Sequence, residues 1–283
     1  MEIKINGQLA DITVDSEKTV GEILAGLDQW IANSGHRLSG LAINGETVST
    51  GTLEAAFARN IDTVKILDIV TCSLPELSVQ SLSQISSDID QYEGLNFFEK
   101  QGFIEIWNAS PQALFIAEQI PDLFTICGRF FSGDFSLDFL RTIIAERMRE
   151  LEDPAGELGI LESLVSDVCV RLEDLPLDIQ TGKDSRAAET IQIFSSIAEK
   201  VFRIYNVLKT EGFDMGTIRI GEAGLSDYII EFNSVVKDLL AAYQQRDTVL
   251  VGDLAEYELS PRLRAFCTAL SQAVGDKTWA LQA

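Results

Sequence analysis

The chain has 283 residues, of which 46% are hydrophobic, and its net charge is −22 because 44 acidic side chains outnumber 22 basic ones. This length predicts about two domains, and this share of apolar residues can build a buried core, which excludes general disorder. An acidic field repels phosphate backbones and anionic lipid, so nucleic acid and membranes are poor partners. A protein with a basic patch is the natural complement, and acidity that only keeps the chain soluble is the plainer alternative.

Residues 1–72 alternate between strand and helix signals. Strands are expected at residues 2–6, 9–14, 41–43 and 63–70, and helices at residues 19–32 and 53–57. Thr19 and Glu22 have the spacing of a capping box at the start of the longer helix. The expected order is therefore strand, strand, helix, strand, short helix, strand.

Four short segments carry a family resemblance. They read IKING at residues 3–7, TVGEIL at 19–24, LAING at 41–45 and VKIL at 64–67. On these segments, residues 1–72 resemble a β-grasp, or ubiquitin-like, domain, closest to the ThiS/MoaD sulfur carriers. The resemblance implies a module that docks its sheet face and tail on a partner protein.

The departure from that family lies at the last strand. The sulfur carriers end in a free Gly-Gly, which is the group they activate, whereas here the strand runs through Cys72 and the chain continues for some 200 residues. Sulfur carriage by the family's chemistry is therefore not expected. A regulatory partner of a sulfur-transfer enzyme remains one alternative.

The rest of the chain has helical spacing. Residues 73–80, which contain Pro75 and several serines, are the predicted linker, residues 81–274 the predicted helical bundle, and residues 275–283 a tail in which Trp279 could dock. The predicted fold class is α+β, with an N-terminal β-grasp domain followed by a mostly all-α helical bundle.

The bundle is expected to be organised around a long helix at residues 184–209. Apolar residues recur there every three or four positions and cover most of the circumference, so other helices should pack on several sides of it. Pro121 is expected to break or kink a helix, Pro176 to end one at about residue 175, and Pro261 to separate two helices. About seven or eight helices follow from this pattern.

The cysteines and the start of the chain bear on the compartment. Cys72, Cys127, Cys169 and Cys267 are scattered without a Cys-x-x-Cys pair, which predicts free and mostly buried thiols in a reducing compartment. The opening residues have no basic segment leading into an apolar one, and no apolar run reaches about 18 residues. We therefore expect a cytoplasmic protein of bacterial type.

Residues that carry enzyme chemistry are sparse. His36 is the single histidine, so triads, Cys-His dyads and Glu-x-x-His metal sites lack their partners. Residues 88–99 approach a calcium loop, but Glu93 stands where the sharp turn needs glycine. We expect no catalytic residue, no cofactor and no metal ligand, although a magnesium site built only from carboxylates stays open.

A dense aromatic block after Gly94 supplies the candidate partner-binding residues. They are Phe97, Phe98, Phe103, Trp107, Phe130 and Phe131. An exposed groove for a partner and a buried core are both compatible with such a block.

The sequence predicts a non-catalytic protein-protein interaction protein, such as an adaptor, scaffold or chaperone-like protein. A homodimer stays open. The alternative class is a carboxylate-based metal-dependent enzyme or small-molecule binder in the helical bundle.

Overall fold

The structure is a computed structural model that describes residues 1–14 and 16–282, with the side chains of residues 50 and 276–282 outside the description. It divides into two compact units, Met1–Ala145 and Glu146–Ala283. An N-terminal sheet is followed by helices, which confirms the α+β fold class.

The first unit begins with a mixed five-stranded sheet. Its strands are β1 (Glu2–Ile5), β2 (Gln8–Leu9), β3 (His36–Ile43), β4 (Glu46–Thr47) and β5 (Ile66–Ser73). The strand order is β2-β1-β5-β3-β4, in which β1 is parallel to β5 and β3 is antiparallel to β5. Because β5 is central, Leu67 and Ile69 on it are fully buried.

One long helix covers this sheet. It is α1 (Val20–Asn33), and a short helix α2 (Leu53–Phe57) lies between two 3-10 turns at Thr50–Thr52 and Ile61–Thr63. The predicted capping box is present, because the Thr19 side chain accepts from the Glu22 N–H while the Glu22 side chain accepts from the Thr19 N–H. The apolar face of α1 then packs with the sheet in one core.

Helices complete the first unit. They are α3 (Leu74–Glu93), α4 (Phe97–Asn108), α5 (Pro111–Gln119), α6 (Pro121–Phe131) and α7 (Leu137–Glu152), the last of which ends in the second unit. The predicted linker at residues 73–80 is instead the end of β5 and the start of α3. Ser73 caps this helix in a second capping box with Glu76, and Pro75 sits in the first turn, where its missing N–H costs nothing. The polar residues that resembled a linker are a helix start.

The second unit is built from long helices. They are α8 (Pro154–Gln180), α9 (Asp184–Thr210), α10 (Leu225–Gln245), α11 (Thr248–Asp253) and α12 (Ser260–Gln282). A π-helical segment at Leu254–Leu259 joins α11 to α12. Between α9 and α10 lie a 3-10 turn at Met215–Thr217 and a small hairpin of β6 (Arg219–Ile220) and β7 (Ala223–Gly224). The predicted long helix at residues 184–209 is confirmed as α9. However, α8 packs against α9, α11, α12 and the π-helical segment, so α8 holds the central position expected for α9.

Two prolines do not end or separate helices as predicted. Pro121 does separate α5 from α6, but Pro176 lies inside α8 and Pro261 lies in the first turn of α12. The buried residues on both sides of Pro176 hold α8 together through packing. Before Pro261 the hydrogen-bond register widens, since the Ser260 N–H bonds to the Ala255 carbonyl, and this widening accommodates the proline.

Two further predictions concern the ends and the thiols. The backbone of α12 runs to Gln282, past the start of the predicted tail at residues 275–283. The predicted docking of Trp279 concerns a side chain outside the described residues.

All four cysteines are free and buried, as predicted. Burial raises the pKa of Cys127 and of Cys267 to about 12. Within the described chain, no helix has the length and apolar character to cross a bilayer.

Candidate protein-binding surface

The six predicted partner-binding residues separate into an inner and an outer group. Phe97 and Phe98 are 84% and 86% exposed. Trp107 and Phe130 are buried, while Phe103 and Phe131 are half-buried. The structure therefore brings four of the six together in the core of the first unit and leaves two on its surface.

The inner group packs around Tyr92 of α3. The centroid of its ring lies 5.6 Å from those of Phe103 and Phe130 and 4.9 Å from that of Phe131. The Trp107 ring lies 4.9 Å from that of Phe131 in an edge-to-face arrangement, which is a favoured geometry for aromatic pairs. These rings join α3, α4 and α6, so the inner group positions α4 through its packing.

Phe98 of the outer group lies on the opposite side of α4 from the inner group. A residue turns about 100° around a helix, so Phe103 and Trp107 lie roughly half a turn away from Phe98. Gly102 and Ile106 follow Phe98 at steps of four and are exposed on the same side. Phe97 lies about 100° from Phe98 and extends the exposed area around the start of the helix. We call Phe97, Phe98, Gly102 and Ile106 together the α4 surface. Ile106 was missed from the sequence, although its spacing from Phe98 could have identified it.

The local structure fixes the two exposed rings at the start of the helix. The Asn96 side chain accepts from the N–H groups of Phe98 and Glu99 at 3.0 and 3.2 Å, and the Glu99 carboxylate accepts from the Asn96 N–H at 3.0 Å. This capping box supplies hydrogen-bond acceptors for N–H groups that the first turn of the helix would otherwise leave unpaired. The rings of Phe97 and Phe98 meet edge to face with centroids 5.8 Å apart.

Two carboxylates lie among the apolar residues of the α4 surface. Glu99 and Glu105 are exposed on the same helix, and Glu105 lies two turns beyond Phe98 on the same side. Lys100, the one basic residue of α4, is directed away, with its ammonium 4.6 Å from the Tyr92 ring centroid and 4.0 Å from a Glu93 carboxylate oxygen. The α4 surface thus combines exposed apolar and negative side chains, which complements an apolar pocket with basic residues beside it.

A cluster of charged side chains in the second unit was not found from the sequence. Glu150 is only 2% exposed, and the Arg203 guanidinium donates to its two oxygens at 2.8 Å each. The Lys200 ammonium lies 2.8 Å from a carboxylate oxygen of Glu146 and 2.8 Å from one of Glu157. We call these five residues the buried charge cluster; they connect α7, α8 and α9.

The ionisation of this cluster follows from burial and from its ion pairs. Burial raises the pKa of Glu150 to about 7, against the effect of Arg147 and Lys200. Because this value lies above the ordinary 4.5, the contribution of Glu150 to stability is complete below pH 4.5 and is lost as the pH rises through about 7. Burial acts in the same direction on Glu157, but hydrogen bonds from Lys200 and Arg149 outweigh it and lower the pKa.

The buried charge cluster supplies its own cation for its carboxylates. The Lys200 ammonium occupies the position between carboxylates that a bound cation would need. Across the part of the chain that the structure describes, no group of three or more His, Cys, Asp or Glu side chains is arranged to hold a metal ion.

Comparison with known proteins finds similarity to families without a described activity. Residues 1–73, which end at the last residue of β5, match the TP0873 N-terminal domain. Residues 161–269, within the second unit, match a domain of unknown function, DUF8042. The resemblance of the N-terminal region to sulfur carriers therefore stays a prediction.

One relative is similar over nearly the whole chain. An uncharacterized protein from Treponema pallidum (strain Nichols) is 21% identical over 264 residues, which cover 93% of this chain and 93% of that protein. The similarity thus extends through both units. No solved structure matches the chain significantly.

Proposed function

We propose that this protein is a non-catalytic adaptor or scaffold that binds a partner protein through the α4 surface. The observation that carries the proposal is the pair Phe97 and Phe98, two adjacent aromatic rings that are both more than four-fifths exposed. Single exposed apolar residues are common, but neighbouring exposed aromatic side chains are typical of interaction sites.

The proposed occupant is an apolar pocket bordered by Lys or Arg on another protein. An aromatic side chain contributes about 150–250 Å² of contact area, so the two rings, which contact each other, form an anchor of the size that dominates many interfaces. The carboxylates of Glu99 and Glu105 favour a basic rim, and the net charge of −22 steers such a partner toward the protein.

We also propose that residues 1–73 form a β-grasp domain in a cytoplasmic protein. The strand order β2-β1-β5-β3-β4, with β1 parallel to β5 and one long helix on the sheet, supports this fold assignment. Because β5 continues directly into α3, this domain would act as a binding module and not as a sulfur carrier. Four free, buried thiols support the reducing compartment.

The test begins with the photo-crosslinking amino acid p-benzoylphenylalanine in place of Phe98 of the full chain. Crosslinked proteins from native cells are identified by mass spectrometry, and the candidate partner is then purified. Its affinity is measured by calorimetry for the wild type and for the double variant Phe97→Ser/Phe98→Ser. Ile160→Ser/Ile230→Ser is the control, because both of these isoleucines are also exposed on helices.

We expect the Phe97→Ser/Phe98→Ser variant to weaken binding by about 100-fold or more, because hot-spot aromatic residues contribute about 2–4 kcal/mol each. The control variant should bind like the wild type, and added salt should weaken binding further. Equal affinity of both variants would contradict the proposal. A crosslink only to a second copy of this chain would replace the basic partner by a homodimer.

A further inference from the structure

A cavity of about 470 Å³ lies at one end of the second unit, where α8 and α10 end and where α9 and α11 begin. Small-molecule sites in proteins typically have volumes of about 300–1,000 Å³ and combine apolar walls with a few polar groups. The cavity fits this description. Its apolar walls include Ile179 and Val251, and its polar groups include Asp184, Tyr243, Arg246 and Thr248.

Two opposite charges line this cavity, and both side chains are exposed to solvent. No ion pair joins Asp184 to Arg246, and neither side chain has a partner among the residues that the structure describes. The neighbouring charges differ, since Lys183 and Arg186 lie 3.3 and 3.0 Å from carboxylate oxygens of Asp178. The cavity therefore offers one free guanidinium and one free carboxylate.

The backbone at Arg246 is also unusual. The residue ends α10 with φ 57° and ψ 31°, and the Asp247 N–H bonds to the Ala242 carbonyl in the manner of a Schellman motif. Glycine is the favoured residue at that position because a Cβ atom crowds the left-handed conformation. The other described non-glycine residues with positive φ are asparagines, which tolerate it better. Arg246 therefore occupies a backbone conformation that glycine would adopt at a lower cost.

We propose that this cavity binds a small zwitterion with an apolar portion, namely an amino acid or a short peptide. A carboxylate pairs with the planar guanidinium of Arg246, which can donate two parallel hydrogen bonds. An ammonium pairs with Asp184, and the apolar portion contacts Ile179 and Val251. A ligand with one charge alone can pair with only one of the two side chains, so the zwitterion gains a second ion pair and is favoured. This site is independent of the α4 surface.

The experiment is isothermal titration of the full-length protein with probes that differ by one charge. The zwitterions are L-leucine and the dipeptide Leu-Leu, while N-acetyl-leucine lacks the ammonium and leucinamide lacks the carboxylate. We expect at least one zwitterion to bind saturably below about 10 mM and at least tenfold more tightly than either singly charged probe. Failure of both zwitterions to bind, or equal binding of N-acetyl-leucine or leucinamide, would overturn the proposal.

Two variants assign the charges. Arg246→Gly removes the guanidinium and relieves the left-handed backbone, so it should raise the midpoint of thermal unfolding by about 2–4 °C while weakening binding of the zwitterion at least tenfold. A loss of binding with a higher midpoint cannot result from misfolding. Asp184→Asn should weaken binding to a similar degree, and Lys183→Gln, next in the chain but paired with Asp178, should leave it unchanged. Wild-type affinity of both Arg246→Gly and Asp184→Asn would refute the assignment.

Discussion

Replacing Lys200 by methionine tests whether the buried charge cluster stabilises the second unit. The Lys200 side chain is 12% exposed, and its ammonium contacts Glu146 and Glu157 at 2.8 Å each. Methionine keeps most of the length and the apolar stem of lysine but removes the charge. The carboxylates then lose their shared cation, although Arg149 still contacts Glu157 and Arg203 still contacts Glu150.

The magnitude follows from the two short contacts. With an effective dielectric constant of about 20, one pair of unit charges at 2.8 Å contributes about 6 kcal/mol before any desolvation is subtracted. The two pairs together contribute about 12 kcal/mol, and the cost of removing the ammonium from water offsets most of this sum. Breaking a buried ion pair typically lowers the free energy of unfolding by about 3–5 kcal/mol, and we expect a loss in this range.

Urea unfolding followed by circular dichroism at about pH 7.5 measures the effect. With a urea dependence of about 2 kcal/mol per molar, the expected loss lowers the transition midpoint by about 1.5–2.5 M. The matched control is Arg171→Met, because Arg171 contacts Glu189 at 3.6 Å in an exposed pair on the same unit. Such pairs contribute less than about 1 kcal/mol. If Lys200→Met lowers the midpoint no more than the control, the cluster does not carry the stability assigned to it.

Three further predictions follow from burial and close contact. Relative to the wild type, Glu150→Gln should become more stable by up to about 3 kcal/mol as the pH rises from about 5 to 8, because the variant lacks a carboxyl group with a raised pKa. Urea unfolding midpoints of both proteins across this pH range measure the effect. The opposite trend would show that Glu150 remains ionised against Arg203. Gly252→Ala should lower the free energy of unfolding by about 1–3 kcal/mol, since its Cβ would lie 2.9 Å from Pro176. The control for this variant is Gly159→Ala, where a Cβ meets no atom within 4 Å and the same free energy should instead rise by about 0.5–1 kcal/mol. None of the four buried thiols should react with a thiol reagent in the native protein, and rapid labelling of any would contradict their burial.

Local patterns were sufficient for the helix predicted at residues 184–209, which is Asp184–Thr210 in the structure. This helix has strong apolar periodicity and no internal proline. The predictions at two prolines were wrong. A proline locally disfavours a continued helix, but packing around Pro176 and the widened turn before Pro261 outweigh this preference.

The candidate sites were less accessible from the sequence, since they depend on which residues meet across the fold. Glu150 and Arg203 are 53 positions apart, so no local pattern indicates their contact. The aromatic block was found, but its composition did not separate the exposed Phe97 and Phe98 from the buried Trp107. The helical period of α4 contained that distinction for Phe98, which falls opposite Trp107, but not for Phe97, which lies about 80° from Trp107 around the helix.

The π-helical segment at Leu254–Leu259 has a consequence for how the length of this chain can change. A π turn holds one residue more than an α turn, so the segment accommodates an additional residue without rotating α11 or α12. Removing one exposed residue there, such as Tyr257, would restore a regular α-helix and keep the buried faces on either side. Insertions or deletions elsewhere in these helices would rotate one face out of the core. Single-residue differences in length among relatives are therefore expected to concentrate at this turn.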